Sequence, residues 1–175
     1  MRYVVTRAMV IVGVAVLAGC SFSFSAGGSD TIDPDWAERG VAQSLEKNYD
    51  LRVDSVTCPD GIEPAKGATF ACTADIAGAQ LPVRLTIGEV DLGTGTFQYK
   101  AEPTKVLLDV EAVVKGVKEE LQGKVPDTPQ VDCGAGPYQV VAVGDAMSCT
   151  VLVGEERVVV RAVVKDMDGK VRFEA

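Results

Sequence analysis

The sequence lacks histidine altogether, and aromatic residues are few, with one Trp, four Tyr and five Phe among 175 residues. Histidine is the usual general base near neutral pH and the commonest transition-metal ligand in proteins. Its absence therefore argues against most hydrolases and metalloenzymes. We expect no catalytic residues, no metal site and no cofactor, and we predict that the protein is not an enzyme.

Positive charge is also scarce. The chain has 17 Lys and Arg against 25 Asp and Glu, a net charge of −8. Two of the cations, Arg2 and Arg7, lie in residues 1–19, which hold no acid, so the rest of the chain is more acidic than the whole. Because an acidic surface without a basic cluster repels phosphate groups, we expect no nucleic-acid partner and no attraction to anionic lipid.

No apolar run is long enough to span a bilayer, which takes about 20 residues. Residues 1–19 instead combine a basic start, a shorter apolar stretch at residues 8–18 and small residues ahead of Cys20, the layout of a secretory signal peptide. The tetrapeptide LAGC that ends at Cys20 matches the bacterial lipobox, in which the cysteine thiol receives a diacylglyceryl group and the signal is cleaved in front of it. The sequence therefore predicts lipidation of Cys20 at the extracytoplasmic face of the cell membrane.

The segment that follows is rich in Ser and Gly. Residues 20–32 comprise the lipidated cysteine and a flexible tether, whose twelve residues after Cys20 reach about 17 to 21 Å. Two acyl chains hold a protein stably on a membrane, where one gives only marginal binding. We therefore expect the rest of the chain to be presented on the outer face of the cytoplasmic membrane.

Four further cysteines form two local sets, Cys58 with Cys72 and Cys133 with Cys149. An even number of cysteines in an exported chain suggests disulfides. Four cysteines allow three pairings, and the local one is favoured because its spacing recurs. We predict one disulfide within each set.

The second half of the chain repeats the first. Residues of the first half recur 75 to 77 positions later, and the matched pairs are Asp33 and Asp109, Gly40 and Gly116, Leu45 and Leu121, Cys58 and Cys133, Cys72 and Cys149, and Arg84 and Arg161. At the end of each half, Phe97 and Tyr99 align with Val171 and Phe173. This pattern indicates a tandem duplication, with one module at residues 33–103 and another at residues 104–175.

Each module is predicted to begin with a helix. In the first, Asp33 caps the helix, Pro34 suits its first position, and an apolar face ends near Asn48. In the second, Asp109 caps and Gly123 ends the helix. The residues expected to face inward are Ala37, Val41 and Leu45 in the first helix and Val110, Val113, Val114, Val117 and Leu121 in the second. The matching Gly40 and Gly116 suggest close packing of helix on sheet or, alternatively, a groove for a partner.

Strands follow each helix, since apolar residues alternate with polar ones. The predicted strands are residues 55–58, 69–76 and 81–87 in the first module and residues 130–133, 147–153, 158–164 and 171–174 in the second, the last after an Asp168-Gly169 turn. Pro82 lacks a ladder donor, so its strand lies at an edge or has Pro82 near its start. The predicted fold is α+β, with two tandem small domains, each an N-terminal helix packed on a roughly four-stranded antiparallel sheet with one disulfide.

These residues resemble a family of small actinobacterial secreted and lipid-anchored domains whose function is not established. The likeness is carried by the lipobox and its SFSFS sequel, VTCP at residues 56–59, Gly67 and FACTA at residues 70–74, and it covers residues 33–101. The second module departs from the pattern, with Gly134 in place of Pro59 and Met147 in place of Phe70. The resemblance implies an actinobacterial source and a disulfide in each domain, and it brings no catalytic residues.

Arg84 and Arg161 lie at matching positions on the outward side of their strands, and they are the candidate binding surface together with the junction at residues 102–108. They could equally be ordinary exposed strand residues. Two modules can form a cleft or bind bivalently. We therefore expect a non-enzymatic cell-envelope lipoprotein that binds or scaffolds an envelope protein.

Two other functions are compatible with the sequence. A lipoprotein that binds a lipid or glycan ligand needs a sizeable apolar pocket, and a protein inhibitor of an extracellular enzyme needs an exposed loop with aromatic anchors, for which Tyr138 is the main candidate. Residues 166–169, DMDG, match only part of a calcium loop. They lack the longer ligand series and the flanking helices of a calcium-binding helical hand, so we predict a hairpin tip there.

Overall fold

The computed structural model describes residues 9–10, 24–25, 31–91 and 96–175. The predicted lipidation site Cys20 and almost all of the predicted signal peptide and tether lie outside the described residues. The chain divides into two compact units, Val16–Thr104 and Lys105–Ala175, the latter together with Met1–Ala15. We call them the first and second modules. Each combines one helix with an antiparallel sheet and one disulfide, which confirms the predicted α+β fold and the tandem arrangement.

The first module is one helix on a five-stranded antiparallel sheet. Its elements are β2 (Phe24–Ser25), α1 (Pro34–Tyr49), β3 (Ser55–Thr57), β4 (Thr69–Ile76), β5 (Ala79–Asp91) and β6 (Thr96–Pro103). The strand order is β2-β6-β5-β4-β3. Helix α1 packs against β3 and β4 and covers one face of the sheet. The inward residues of β4 and β5 that the alternation predicts are buried, except Phe70, which is half-buried.

Helix α1 begins and ends as predicted. The Asp33 side chain accepts a hydrogen bond of 3.0 Å from the backbone N–H of Asp35, which satisfies one of the free donors at the helix start. The buried face comprises Ala37, Val41, Leu45 and also Ser44. Ile32, the last residue of the predicted tether, belongs to the folded module instead. Its side chain is 2% exposed, and its N–H donates to the Ile62 carbonyl at 2.7 Å. The first module therefore begins before Asp33.

Gly40 lies where α1 passes over Tyr99 of β6. A Cβ built on Gly40 would overlap the Tyr99 hydroxyl and would lie 3.0 Å from the Tyr99 Cζ atom. The Tyr99 ring in turn meets Trp36 edge to face, with ring centroids 5.1 Å apart. Close packing of helix on sheet, rather than a partner groove, thus accounts for the glycine in the middle of α1.

Of the two positions predicted for Pro82, the edge strand is wrong, because β5 is the central strand of its sheet. The other is confirmed, since Pro82 is the fourth residue of β5 and lies near its start. Its carbonyl accepts a hydrogen bond of 2.9 Å from the N–H of Thr104, just past the end of β6. Since the N and C=O of one residue point to the same side of a strand, the missing donor faces the place where the β6 ladder ends. No ladder bond to β4 is lost.

The second module contains β1 (Met9–Val10), β7 (Val106–Asp109), α2 (Val110–Leu121), β8 (Gln130–Asp132), β9 (Tyr138–Val141), β10 (Ala146–Val153), β11 (Glu156–Val164) and β12 (Val171–Glu174). Five strands form one antiparallel sheet in the order β1-β12-β11-β10-β8, and β7 pairs with β9 in a separate ribbon. The ribbon was not predicted. It buries Val106 and Leu108 of the junction at residues 102–108, whereas Glu102, Thr104 and Lys105 are exposed.

Helix α2 faces the core with a slightly different side than predicted. Asp109 caps it by accepting a hydrogen bond of 2.9 Å from the Ala112 N–H, and Gly123 follows the helix end with a φ of 73°. Val114 and Leu121 are only partly buried, whereas Gly116 and Glu120 are buried. Glu120 forms an ion pair with Lys124, which compensates the burial of its carboxylate.

The register of the last strand differs from the sequence alignment. Leu85 pairs with Ala101 in the first module, and its equivalent Ala162 pairs with Phe173 in the second. Phe173 therefore corresponds to Ala101 rather than to Tyr99, a displacement of two residues. The cause is the length of the hairpin, which has 15 residues between Leu85 and Ala101 in the first module and 10 between Ala162 and Phe173 in the second.

The disulfides and the last hairpin agree with the predictions. Cys58 is bonded to Cys72, with Cα atoms 4.3 Å apart, and Cys133 to Cys149, with Cα atoms 4.0 Å apart. Each bond ties the end of the short strand after the helix to the strand beside it. At the hairpin tip, the Asp166 side chain accepts hydrogen bonds from the backbone N–H groups of Asp168 and Lys170. The carboxylate thus closes the turn.

Candidate functional site

The candidate site is the face of each sheet that points away from the buried core. In the first module, alternation along the strands places Thr73 and Ala71 of β4, Arg84 of β5 and Lys100 and Glu102 of β6 on this outer face. All five are exposed. The apolar side chains between them, which point the other way, form the core, so the strand period separates the two faces.

Arg84 stands at the centre of the outer face of the first module. It pairs directly with Ala71 on one side and with Glu102 on the other. Glu102 is not bonded to it, because its carboxylate lies 2.7 Å from the Lys100 ammonium on the same strand. Within the part of the chain that the structure describes, the Arg84 guanidinium has no ion pair and no hydrogen bond.

The second module repeats this arrangement. Arg161 of β11 pairs directly with Ser148 of β10 and with Glu174 of β12. The Glu174 carboxylate forms an ion pair with Arg172 on its own strand. Among the described residues, the Arg161 guanidinium likewise has no ion pair or hydrogen bond. We call Arg84, Lys100 and Glu102, and their counterparts Arg161, Arg172 and Glu174, the basic triads.

Each basic triad has two cations and one carboxylate. The carboxylate opposite the central arginine is engaged by the base two residues away on its own strand, so the arginine keeps its donors for an external group. Exposed ion pairs of this kind contribute only about 0 to 1 kcal/mol, so exchanging partners costs little. The planar fork of a guanidinium suits a carboxylate or phosphate with two parallel hydrogen bonds.

The charge of Glu102 also acts on a neighbouring side chain. Burial raises the pKa of the Tyr49 phenol, and the negative charge of Glu102 raises it further. Tyr49 is the last residue of α1, so this effect links the helix end to the β6 strand. The phenol is neutral around pH 7 and adds no charge to the outer face.

The two outer faces differ around their triads. The first module has Asp75, Gln80, Pro82 and Thr86 where the second has Leu152, Arg157, Val159 and Val163. The first face is therefore polar and rich in threonine, while the second combines aliphatic and arginine side chains. Val159, at the centre of this second face, is 52% exposed.

Other constellations do not form a site in the described residues. These residues hold no cluster of three or more Cys, Asp and Glu side chains able to bind a metal. A shallow, open depression runs along the exposed side of α2, and it is lined by residues of that helix and by Asp109, the residue that caps it. In the described part of the chain, no helix has the length and apolar character to cross a membrane.

Sequence analysis located Arg84 and Arg161 but missed the rest of the triads. The structure brings each arginine beside a glutamate of the last strand, and that pairing depends on the register across a hairpin. A signal was present, because Lys100 and Glu102 and likewise Arg172 and Glu174 follow a base-x-acid pattern that puts both side chains on one face of a strand. The predicted lipidation of Cys20 lies outside the described residues.

One family of proteins matches the chain. The family model for a domain of unknown function (DUF4333) matches residues 15–91 and again residues 94–169, so two successive copies account for most of the sequence. No curated protein matches the chain, and no solved structure does.

Proposed function

Because this chain belongs to the DUF4333 family and carries two copies of its domain, we propose that it is a non-enzymatic cell-envelope lipoprotein that binds partners through the outer faces of its two sheets. In this proposal, residues 1–19 are a signal peptide that is cleaved off, so the sheet of the second module keeps β12, β11, β10 and β8 without β1. Cys20 then carries a diacylglyceryl anchor. The anchor holds both modules on the outer face of the cytoplasmic membrane. The resemblance described above favours an actinobacterial source.

The repeated basic triad carries the proposal. Two modules that have diverged at most outer-face positions both keep an arginine on the central strand and a base-x-glutamate pair on the last strand. In both, the glutamate is bonded to the neighbouring base and the arginine is left without a protein partner among the described residues. An exposed guanidinium in that setting is suited to a carboxylate or phosphate of a partner.

The other two functions considered have less support. A lipid or glycan pocket between α1 and its sheet would need space, whereas Val41, Leu45 and Leu85 fill that interior and are at most 2% exposed. An inhibitor would need an aromatic anchor on a free loop, whereas Tyr138 is the first residue of β9 and pairs with Asp109. A scaffold or binding module therefore accounts best for the exposed features.

The test is cross-linking in cells of the tagged, membrane-anchored protein, with partners identified by mass spectrometry. A Cys20→Ala variant controls for the anchor. A double variant, Arg84→Ala with Arg161→Ala, removes both central guanidinium groups, and Arg39→Ala removes an exposed arginine from α1 as the matched control.

We expect an envelope partner that is cross-linked by the wild type and by Arg39→Ala but lost in the double variant and in Cys20→Ala. A partner retained by the double variant would show that the outer faces are not the binding site. If nothing is captured in an anchor-dependent way and a lipid or glycan copurifies instead, the scaffold function is wrong.

A further inference from the structure

We propose that the outer face of the second module is a docking surface for an anionic lipid bilayer. The inference deepens the proposed function and rests on it, because it assigns a partner to the second module's copy of the same surface. The net charge of −8 predicts repulsion from such a membrane. The fold, however, gathers arginines on one sheet face in a way that the overall charge does not reveal.

Three arginines share this face. Arg157 and Arg161 alternate with valines along β11, and Arg172 of β12 pairs with Val163, the next outward residue after Arg161. Diagonal neighbours across antiparallel strands lie about 7 to 8 Å apart, and four residues along one strand span about 13 Å. The three guanidinium groups can therefore contact neighbouring headgroups of a flat anionic surface at the same time.

Aliphatic side chains lie between the arginines. Val159 stands between Arg157 and Arg161 on the same strand and is 52% exposed, and the half-buried Leu152 pairs with Arg157 on β10. Among the described residues, the exposed large hydrophobic side chains are Val143, Val159 and Met167, and all three belong to the second module. Aliphatic groups flanked by arginines can enter the boundary between headgroups and acyl chains while the arginines bind phosphate.

The carboxylates on this face compensate only part of the positive charge of the arginines. Glu174 is bonded to Arg172, and Asp132 lies on β8, two strands away from β11. The first module provides an internal comparison, since Gln80 and Pro82 occupy the positions of Arg157 and Val159. The basic and aliphatic character is therefore specific to the second module and is not a general property of the fold.

A bilayer explains these features better than a protein partner. The surface is an open sheet face, its aliphatic groups are interspersed with arginines rather than gathered in one pocket, and the proposed anchor keeps the module beside a membrane. Each Arg near an anionic surface strengthens binding by about fivefold, so three together give on the order of 100-fold. That attraction is weakened by salt, because the charges are exposed.

The experiment separates this attraction from acylation. The chain from residue 20, with Cys20→Ser so that it carries no lipid, is mixed with vesicles of phosphatidylglycerol and phosphatidylcholine or of phosphatidylcholine alone, and binding is measured by cosedimentation. One triple variant carries Arg157→Gln, Arg161→Gln and Arg172→Gln. The matched control carries Arg39→Gln, Lys47→Gln and Arg52→Gln, the same change of charge at exposed positions of the first module away from its outer sheet face. Circular dichroism checks that both remain folded.

We expect salt-sensitive binding of the unlipidated protein to the anionic vesicles, lost on the order of 100-fold in the second-module variant and changed less than about threefold in the control. Val159→Asp should also weaken it. Equal losses in the two triple variants, or no preference for anionic vesicles at low salt, would overturn the inference.

The outcomes for the two proposals are distinguishable. If vesicles are not bound but the second-module variant loses a protein cross-linked in cells, the face binds a protein, and the bilayer inference is wrong while the proposed function stands. If vesicles are bound as expected but mass spectrometry of the membrane-bound protein finds Cys20 without a diacylglyceryl group, the anchor in the proposed function is wrong instead.

Discussion

Replacing Gly40 by alanine tests whether Tyr99 limits the approach of α1 to its sheet. Two effects oppose each other. Alanine in the middle of a helix is favoured over glycine by about 1 kcal/mol. The added Cβ, however, would overlap the Tyr99 hydroxyl and lie 3.0 Å from Cζ, and Tyr99 is only 3% exposed, so it cannot swing into solvent. Overpacking of this kind costs about 1 to 3 kcal/mol, and the direct overlap favours the upper end.

The free energy of unfolding of the first module should therefore fall by about 2 kcal/mol. For a domain of this size, that loss lowers the melting temperature by about 8 to 16 °C. The assay is built into the protein, since Trp36 is the single tryptophan and its ring lies against Tyr99. Its fluorescence in a denaturant titration reports the unfolding of the first module alone.

A double-mutant cycle identifies the cause. Tyr99→Phe removes the hydroxyl that the new Cβ would meet, so combining it with Gly40→Ala should recover about 1 to 2 kcal/mol relative to the sum of the single variants. If Gly40→Ala instead stabilises the module by about 1 kcal/mol, helix propensity alone is acting, and the close packing of α1 on Tyr99 is wrong.

Three further predictions concern stability. Ala77 has a φ of 51° in the two-residue β4–β5 turn, before Gly78. Because Asn tolerates this conformation better than Ala, Ala77→Asn should raise the free energy of unfolding of the first module by up to about 1 kcal/mol. The same fluorescence titration measures it, and unchanged stability would refute this. Replacing Cys58 and Cys72 by serine should lower it by about 3 kcal/mol, since the closed loop has about 15 residues; a loss under about 1 kcal/mol would contradict the entropic estimate. Desolvation raises the pKa of Asp166, but the hydrogen bonds and charge of Lys170 outweigh it and lower the pKa below its usual value. The ionised Asp166 carboxylate thus stabilises the folded hairpin at pH values above the pKa that this carboxyl has in the unfolded chain. This stabilisation is lost as the pH falls through the lower pKa of Asp166 in the folded protein. Amide exchange should show the β11–β12 hairpin loosening below about pH 4, and Asp166→Asn should show no such pH dependence.

Both helices were predictable because their signals are local. Asp33 and Asp109 precede apolar residues at helical spacing, and each side chain bonds a backbone N–H within three residues of itself. The ribbon of β7 and β9 was not predictable in the same way. Val106 and its partner Val141 are separated by α2 and β8, and no pattern near either residue indicates the pairing.

The burial of two polar side chains was likewise not predictable from the sequence. Ser44 and Glu120 occupy equivalent places in the two helices and are both buried, at 5% and 6% exposure. A polar side chain at the edge of an apolar helical face can point to solvent or to the core. The choice depends on what covers that edge in the folded protein, and for Glu120 on the ion pair with Lys124.

By itself, the sequence determined the duplication, the helices and their caps, most of the strands and the pairing of the four cysteines within each module, because capping, alternation and recurring spacing act over short stretches of chain. Only the tertiary structure decided which charged groups stand together on the outer faces. Arg84 lies opposite Glu102 and Arg161 lies opposite Glu174 through strand register, which depends on hairpin length and on contacts between distant residues. The basic triads therefore became visible only once the strands were paired.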